Sequence, residues 1–248
     1  MLILGIDTET TGLSKDKDTI TELGMVLWST KHRSPVKIYN ELIKNDRQPE
    51  LTPFITKLTG IQQPMIDKFG VCPKEALTTF VDMAMEASAV MAHNAPFDIR
   101  MIEAEFKHQK VPMPSFTWLD SQADIEYPED CKHKNLTYLG AYHGFVNPFP
   151  HRAVTDVLSM LKIADKYAWE ETIAMATSEK VTVRAICAKP WEDTKEVKDT
   201  DIAKSFGFKF HAGKKEWVKE IPDASFKEFN KKLQEAGIRA VRLKGQGS

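Results

Sequence analysis

Apolar and polar positions divide the chain into short elements from its first residues. Leu2–Ile6 is an apolar run rich in branched side chains, which predicts a buried strand running into Asp7-Thr8-Glu9 before Gly12 turns the chain. Ile20–Trp28 and Val36–Ile43 predict two further strands, and the polar links Lys15–Asp18 and Lys31–Pro35 are short enough for an antiparallel meander. Leu51–Met65 is punctuated by Pro53, Gly60 and Pro64, so a short helix and a loop are expected there. Glu75–Glu86 is a helix by the spacing of Ala76, Phe80, Met83 and Ala84. Ala89–Ala92 then predicts a short strand, Ile99–His108 a helix and Phe116–Leu119 a brief strand. Asn135 is placed to cap a small helix reaching His143. Arg152–Tyr167 is a longer helix whose apolar face is Ala153, Val157, Met160, Leu161 and Ala164. This order implies an α/β fold, a mixed sheet with helices packed on it, whose later strands run parallel to the first.

Ala168–Lys180 predicts a helical connector, and a domain boundary is expected near Ser178, dividing the chain into 1–178 and 179–248. Beyond it, Val181–Cys187 alternates like a strand and Asp199–Gly207 reads as a helix stopped by glycine. Phe208–His211 and Glu216–Ile221 bracket a turn at Gly213; a helix over Asp223–Ala236 and a strand over Ile238–Leu243 follow. Such a module is α+β and close to the lower size limit for independent folding. Gly245-Gln246-Gly247-Ser248 reads as a flexible end.

Composition changes this picture little. The 248 residues are 42% hydrophobic and 28% charged, ordinary for a soluble globular protein. No apolar run approaches the ~20 residues that span a bilayer, and the N-terminus has no basic, apolar and cleavable segment in succession. Cys72, Cys131 and Cys187 are widely spaced and form no CxxC pair, which argues against a disulfide framework or zinc site and fits a reducing cytoplasm. The formal net charge of −1 carries no global signature for nucleic acid, so any such binding must come from a local patch. The total hides an asymmetry. Asp201–Lys244 holds eleven Lys/Arg against six Asp/Glu, a net of +5 that leaves −6 for the remainder.

The candidate chemistry is acidic. Side chains two apart on a strand share a face, so Asp7 and Glu9 stand side by side, and such a pair costs free energy without a cation between them. Alone, the pair reads as a strand end facing water, and Asp156 or His151 alone as surface residues. Context draws them together: Asp98 follows a strand ending in His93-Asn94-Ala95-Pro96-Phe97, and Asp156 opens a helix with His151 five residues before it. Sites in α/β domains form where strand ends meet helix starts. Four carboxylates there suit two Mg²⁺ or Mn²⁺ ions. Two such metals clamp the attacking and leaving oxygens of a phosphodiester, and a histidine can take the proton of the attacking water.

Asp7-x-Glu9-Thr10-Thr11-Gly12, His93-Asn94-Ala95-x-Phe97-Asp98 and His151-x4-Asp156 resemble, in this order, the three exonuclease motifs of the DnaQ-like superfamily, and the third matches its DEDDh branch. The resemblance covers roughly residues 1–167. It implies a ribonuclease H-like mixed five-stranded sheet flanked by helices and 3′→5′ removal of nucleotides. The expected partner is nucleic acid with a free 3′ end, single-stranded DNA favoured. An RNA-trimming exonuclease or a non-catalytic end-binding module are the alternatives. By this resemblance Asp7, Glu9 and Asp156 bind the metal that activates water, Asp7 bridges to a second metal, Asp98 holds the site partly through water, and His151 is the general base. Substrate contacts are implied for Thr10, Gly12, Asn94 and Phe97, for Leu13 as an apolar wedge between the last two bases, and for Gly60 in the Leu58-Thr59-Gly60-Ile61 loop. Ile20-Thr21-Glu22-Leu23-Gly24 is similar to the family's second strand, and Pro96 departs from the small residue other members carry. His93 reads as structural. Asp120 reads as a cap or as a further carboxylate near the site.

The C-terminal module interleaves aromatics with basics in Lys204-Ser205-Phe206-Gly207-Phe208-Lys209-Phe210 and Lys214-Lys215-Glu216-Trp217. These are ingredients for single-strand binding. They are equally what a small module needs for its core.

Overall fold

Strand β1 (Leu2–Thr10) lies at the middle of a five-stranded sheet of order β3-β2-β1-β4-β5, where β2 is Ile20–Ser29, β3 Ser34–Leu42, β4 Ala89–Ala92 and β5 Trp118–Asp120. β1, β2 and β3 form the antiparallel meander, while β4 runs parallel to β1 and β5 parallel to β4. This is the mixed, helix-flanked α/β sheet that the element order demands. The computed structural model describes residues 1–188 and 193–243, so the expected flexible end at 245–248 lies outside the described residues.

The helices of this part are α1 (Pro53–Thr59), α2 (Gln63–Phe69), α3 (Pro73–Met85), α4 (Ala95–His108), α5 (Leu136–Tyr142), α6 (Ala153–Ala164) and α7 (Trp169–Thr177). Leu4 and Ile6 of β1 join Leu23, Met25 and Leu27 of β2 in a core with Phe80 and Met83 of α3 and Met101, Ile102 and Phe106 of α4. The opposite face carries α6, and two glycines set how closely it sits. A Cβ on Gly24 would come 2.4 Å from the backbone nitrogen of Val154, and one on Gly5 would come 2.7 Å from Leu161 Cδ1. Both strands therefore accept the helix against bare backbone. β2 is buried along its whole length because helices cover both its faces.

Two helices stand where one and a loop were expected. The prolines that interrupt Leu51–Met65 each open a helix, since a first-turn proline gives up no hydrogen bond. Gly60, with φ of 73°, closes α1 in the left-handed conformation. The same tolerance lets α4 start at Ala95, ahead of Pro96 rather than at Ile99, so Asp98 belongs to its first turn.

The chain divides into two compact units, the first Met1–Ile173 and the second starting at Ala174. The division falls inside α7, slightly before Ser178; the early part of this helix is tied down by Trp169, whose Nε1 donates to Asp165 at 2.9 Å. The second unit contains β6 (Lys180–Ile186), α8 (Asp199–Ser205), β7 (Lys209–His211), β8 (Glu216–Pro222), a 3-10 turn at Asp223–Ser225 leading into α9 (Phe226–Glu235), and β9 (Arg239–Arg242). Its sheet has the order β7-β8-β6-β9 with every pair antiparallel. A β-α-β-β-α-β chain in that order is the split βαβ arrangement. Val183, Ala185, Ile221 and Ala240 of the sheet face Ile202, Ala203 and Leu233 of the helices, and Phe208 fills the same core.

Candidate active site

Five titratable side chains come together at the carboxyl ends of β1 and β4. β1 contributes Asp7 and Glu9, which are partly exposed while Ile6 and Thr8 between and beside them are buried, as the strand alternation requires. α4 contributes Asp98, only 2% exposed, which accepts from Thr8 Oγ1 at 2.7 Å. α6 contributes Asp156 in its first turn, where a carboxylate is favoured by the helix dipole. Asp156 is held by Asn147 Nδ2 at 2.6 Å and by the backbone N–H of His151 at 3.0 Å. His151 is exposed and takes a left-handed φ of 62°, which turns the chain just before the helix. Among the described residues, Glu9, His151 and Asp156 each offer a ligand atom within 4.8 Å of the others.

The electrostatics follow from this crowding. Burial pushes Asp7 well above the usual carboxylate range, and Asp98, Glu9 and Asp156 raise it further by repulsion. Glu9 is pushed up to about 8 by burial and then by Asp156, Glu22 and Asp98. Burial takes Asp98 to about 7 against the opposing hydrogen bond from Thr8. Asp156 is raised by burial against the bonds from His151 and Asn147. Four acidic groups that each resist ionisation while facing one another form a site that divalent cations would satisfy. All the carboxylate donors are hard oxygens, which suits Mg²⁺ or Mn²⁺.

A second network sets where α6 begins. Glu22 is fully buried on β2 directly opposite Glu9, and accepts from Arg152 Nε at 3.1 Å, Arg152 Nη2 at 2.7 Å, the Ala153 amide at 3.0 Å and Asn40 Nδ2 at 3.1 Å. It binds one of the amide donors that a helix start leaves open, and it fixes Arg152 between His151 and the helix. The sequence signal was a single acid inside an otherwise apolar strand. Asn147, which orients Asp156, was also missed, and nothing short of the fold brings it there.

A third network supports the start of α4. Asn94 adopts φ of 66°, and its amide donates to Asp120 Oδ1 at 3.0 Å, which also accepts from the Gln122 amide at 2.9 Å. Asp120 thus caps a turn. His93 is held by side chains and backbone together, with Nδ1 2.7 Å from Ser121 Oγ, Nε2 3.1 Å from Gln122 Nε2 and a hydrogen bond to the backbone of Lys134. Burial lowers its pKa.

The family model described as Exonuclease matches residues 4–164. The chain belongs to this exonuclease family. A DNA polymerase III PolC-type from Caldanaerobacter subterraneus subsp. tengcongensis is 32% identical over 158 residues, covering 63% of this chain and 11% of that protein. The DNA polymerase III subunit epsilon of Treponema pallidum is 30% identical over 154 residues, covering 60% of this chain and 68% of that protein. The exonuclease domain thus spans about a tenth of the first relative and two thirds of the second. Among solved structures, the nuclease domain of 3′hExo, a DEDDh family member bound to rAMP, superposes with a TM-score of 0.57 at 18% identity, covering 66% of this chain and 90% of that one. The family is the DnaQ-like one to which the three motifs point, and the fold is shared.

The residues of the exonuclease domain expected to touch substrate differ in their surroundings. Leu13 projects into solvent at 84% exposure. Thr10 Oγ1 donates to the Gly12 carbonyl at 2.7 Å, and Asp18 closes the loop by accepting from Thr11 Oγ1 and the Ser14 amide. A Cβ on Gly12 would meet that carboxylate at 2.6 Å. Gly60 is anchored through its neighbour Ile61, buried with Leu42 and Ile66 at the end of β3. Leu42 pairs with Glu22, so this loop meets the sheet at the end that carries Glu9. Phe97 is half-buried and packs one side against the main core.

Proposed function

We propose that the first unit is a divalent-metal-dependent 3′→5′ exonuclease acting on nucleic acid with a free 3′ end, with single-stranded DNA as its favoured substrate in the cytoplasm. The observation that carries this reading is the convergence of Asp7, Glu9, Asp98 and Asp156 with His151, from β1, α4 and α6, onto one sheet end. Asp7, Glu9, Asp98 and Asp156 would hold two Mg²⁺ or Mn²⁺ ions. Bound there, the ions supply Lewis acidity and neutralise charge developing on the phosphodiester. His151, exposed beside Glu9 and Asp156, would accept the proton of the attacking water. Its backbone amide meanwhile holds Asp156, so one turn of chain orients both groups. Leu13 offers an apolar surface for a base, and Thr10, Gly12, Gly60 and Asn94 offer backbone and small side chains close to the same sheet end.

Support for DNA comes from relatives named as DNA polymerase III chains; the structural neighbour bound to rAMP keeps RNA as the competing substrate. The test is release of nucleotides from 3′-end-labelled single-stranded DNA, duplex DNA and RNA, each with Mg²⁺ and with chelator. Fastest release from single-stranded DNA, abolished by chelator, is the expected result. Release that persists in chelator would refute the metal site, and faster loss of the RNA label would reverse the substrate order.

A further inference from the structure

The fold separates the aromatics of the second unit into two sets. Phe208 is buried, and Phe206 packs edge-on against Phe229 at 6.0 Å, so both belong to the core. Phe210 does not. It is 53% exposed on β7 and pairs across the hairpin with Trp217 of β8, ring centroids 5.4 Å apart. Cross-strand partners share a face, and Lys204, at the end of α8, sits over the Trp217 ring on that face at 5.8 Å. The hairpin loop carries Lys214 and Lys215, both exposed. The loop is closed by the Lys214 amide donating to the His211 carbonyl and ring, at 3.2 Å each. The nearest acid in sequence, Glu216, stands opposite His211 on the other face and pairs with Arg184 at 2.5 Å. Among the described residues, only Lys204 of the three lysines has a carboxylate neighbour, Asp201 at 2.9 Å, in an exposed pair that water weakens.

We propose that this hairpin is a docking surface for single-stranded nucleic acid, with Phe210 and Trp217 as the stacking platform and Lys204, Lys214 and Lys215 meeting the phosphates. Exposed Phe210 lies against half-buried Trp217, whose inner side packs on the core, with Lys204 over the Trp217 ring and two exposed lysines in the adjoining turn. That surface is complementary to a chain that is both polyanionic and rich in flat bases, and every base presents such a face. The inference rests on the nuclease reading, because it makes the strand held here the substrate.

Fluorescence anisotropy of labelled dT30 and rU30 with the full chain, in chelator so that no hydrolysis occurs, tests it. Phe210→Ala is expected to weaken binding by at least about fivefold with an unchanged salt dependence. The double variant Lys214→Gln with Lys215→Gln lies in an exposed loop and leaves the core intact. It is expected to flatten the slope of log affinity against log salt by about 1.4. Wild-type affinity and slope in both variants would overturn the proposal, as would polyglutamate binding as tightly as dT30. Hydrolysis of the p-nitrophenyl ester of thymidine monophosphate with Mg²⁺ reads the first unit separately and should be equal in wild type and variants. A wild type inert toward ester and oligonucleotides alike would sink the nuclease reading, while loss of dT30 binding in the variants would still uphold the surface.

Discussion

At the scale of residues, the site divides into groups proposed to meet metal and substrate and groups that hold other side chains in place. Asp7→Ala or Asp156→Ala is expected to abolish metal-dependent nucleotide release; unchanged activity in both would sink the two-metal reading. His151→Ala should lower kcat by at least about 10²-fold while metal binding, followed by calorimetry, is largely kept. Glu22 is different in kind. Its carboxylate neutralises Arg152 and takes the first amide of α6, so Glu22→Ala leaves a half-buried guanidinium without its partner. A destabilisation of about 3 kcal/mol in urea unfolding is expected, with kcat falling more than KM rises. The sequence made the grouping of Asp7, Glu9, Asp98, His151 and Asp156 legible because each lies in a short motif whose spacing can be read locally. Glu22 and Asn147 were not, since each serves a residue far away along the chain, and that relation exists only once β2 and α6 have met.

At the scale of elements, the docking of α6 decides whether Asp156 reaches Asp7. Gly24 opposes Asp7 in the β1–β2 register, and the backbone of α6 occupies the space its side chain would need. Gly24→Ala should therefore cost about 1–3 kcal/mol by overpacking and depress turnover, because the displaced helix carries Asp156 with it. Gly60→Ala is the instructive contrast. Space is open around it, and the cost of about 1–2 kcal/mol comes from its φ of 73° alone. Thermal unfolding and kcat measured on both variants separate the two causes: Gly24→Ala loses both, whereas Gly60→Ala loses stability. Period and β-branching made most strands and helices legible. Prolines misled, because a proline that stops one helix is equally suited to begin the next, which is what Pro53, Pro64 and Pro96 do.

At the scale of the molecule, each unit has a core of its own, so unfolding should resolve two transitions in calorimetry. Mg²⁺ at 100 times its dissociation constant should stabilise the first unit by about 2.7 kcal/mol and leave the other transition in place. A single transition shifted as a whole would contradict this. The metal-free protein should also respond to pH in an uncommon direction. Glu9 is raised from 4.5 to about 8 and Asp98 from 3.8 to about 7, so the folded state keeps protons that the unfolded chain has released. Stability then falls as pH rises through that window and levels off above it. Melting temperatures in chelator from pH 4 to 9 should show this decline, and Asp7→Asn should flatten it by removing one repelling charge.

The helix that lies against Gly5 and Gly24 is also the last part of the nuclease unit's acidic cluster to leave the ribosome. Fifty-eight residues separate Asp98 from Asp156, a delay of about 3 to 12 s at ordinary rates of synthesis. Throughout that interval the nascent chain carries three of the four acids and lacks His151, so the proposed site is incomplete. The bare strip of sheet left by the two glycines is thus covered only when the helix bearing the last of the four acids has been made.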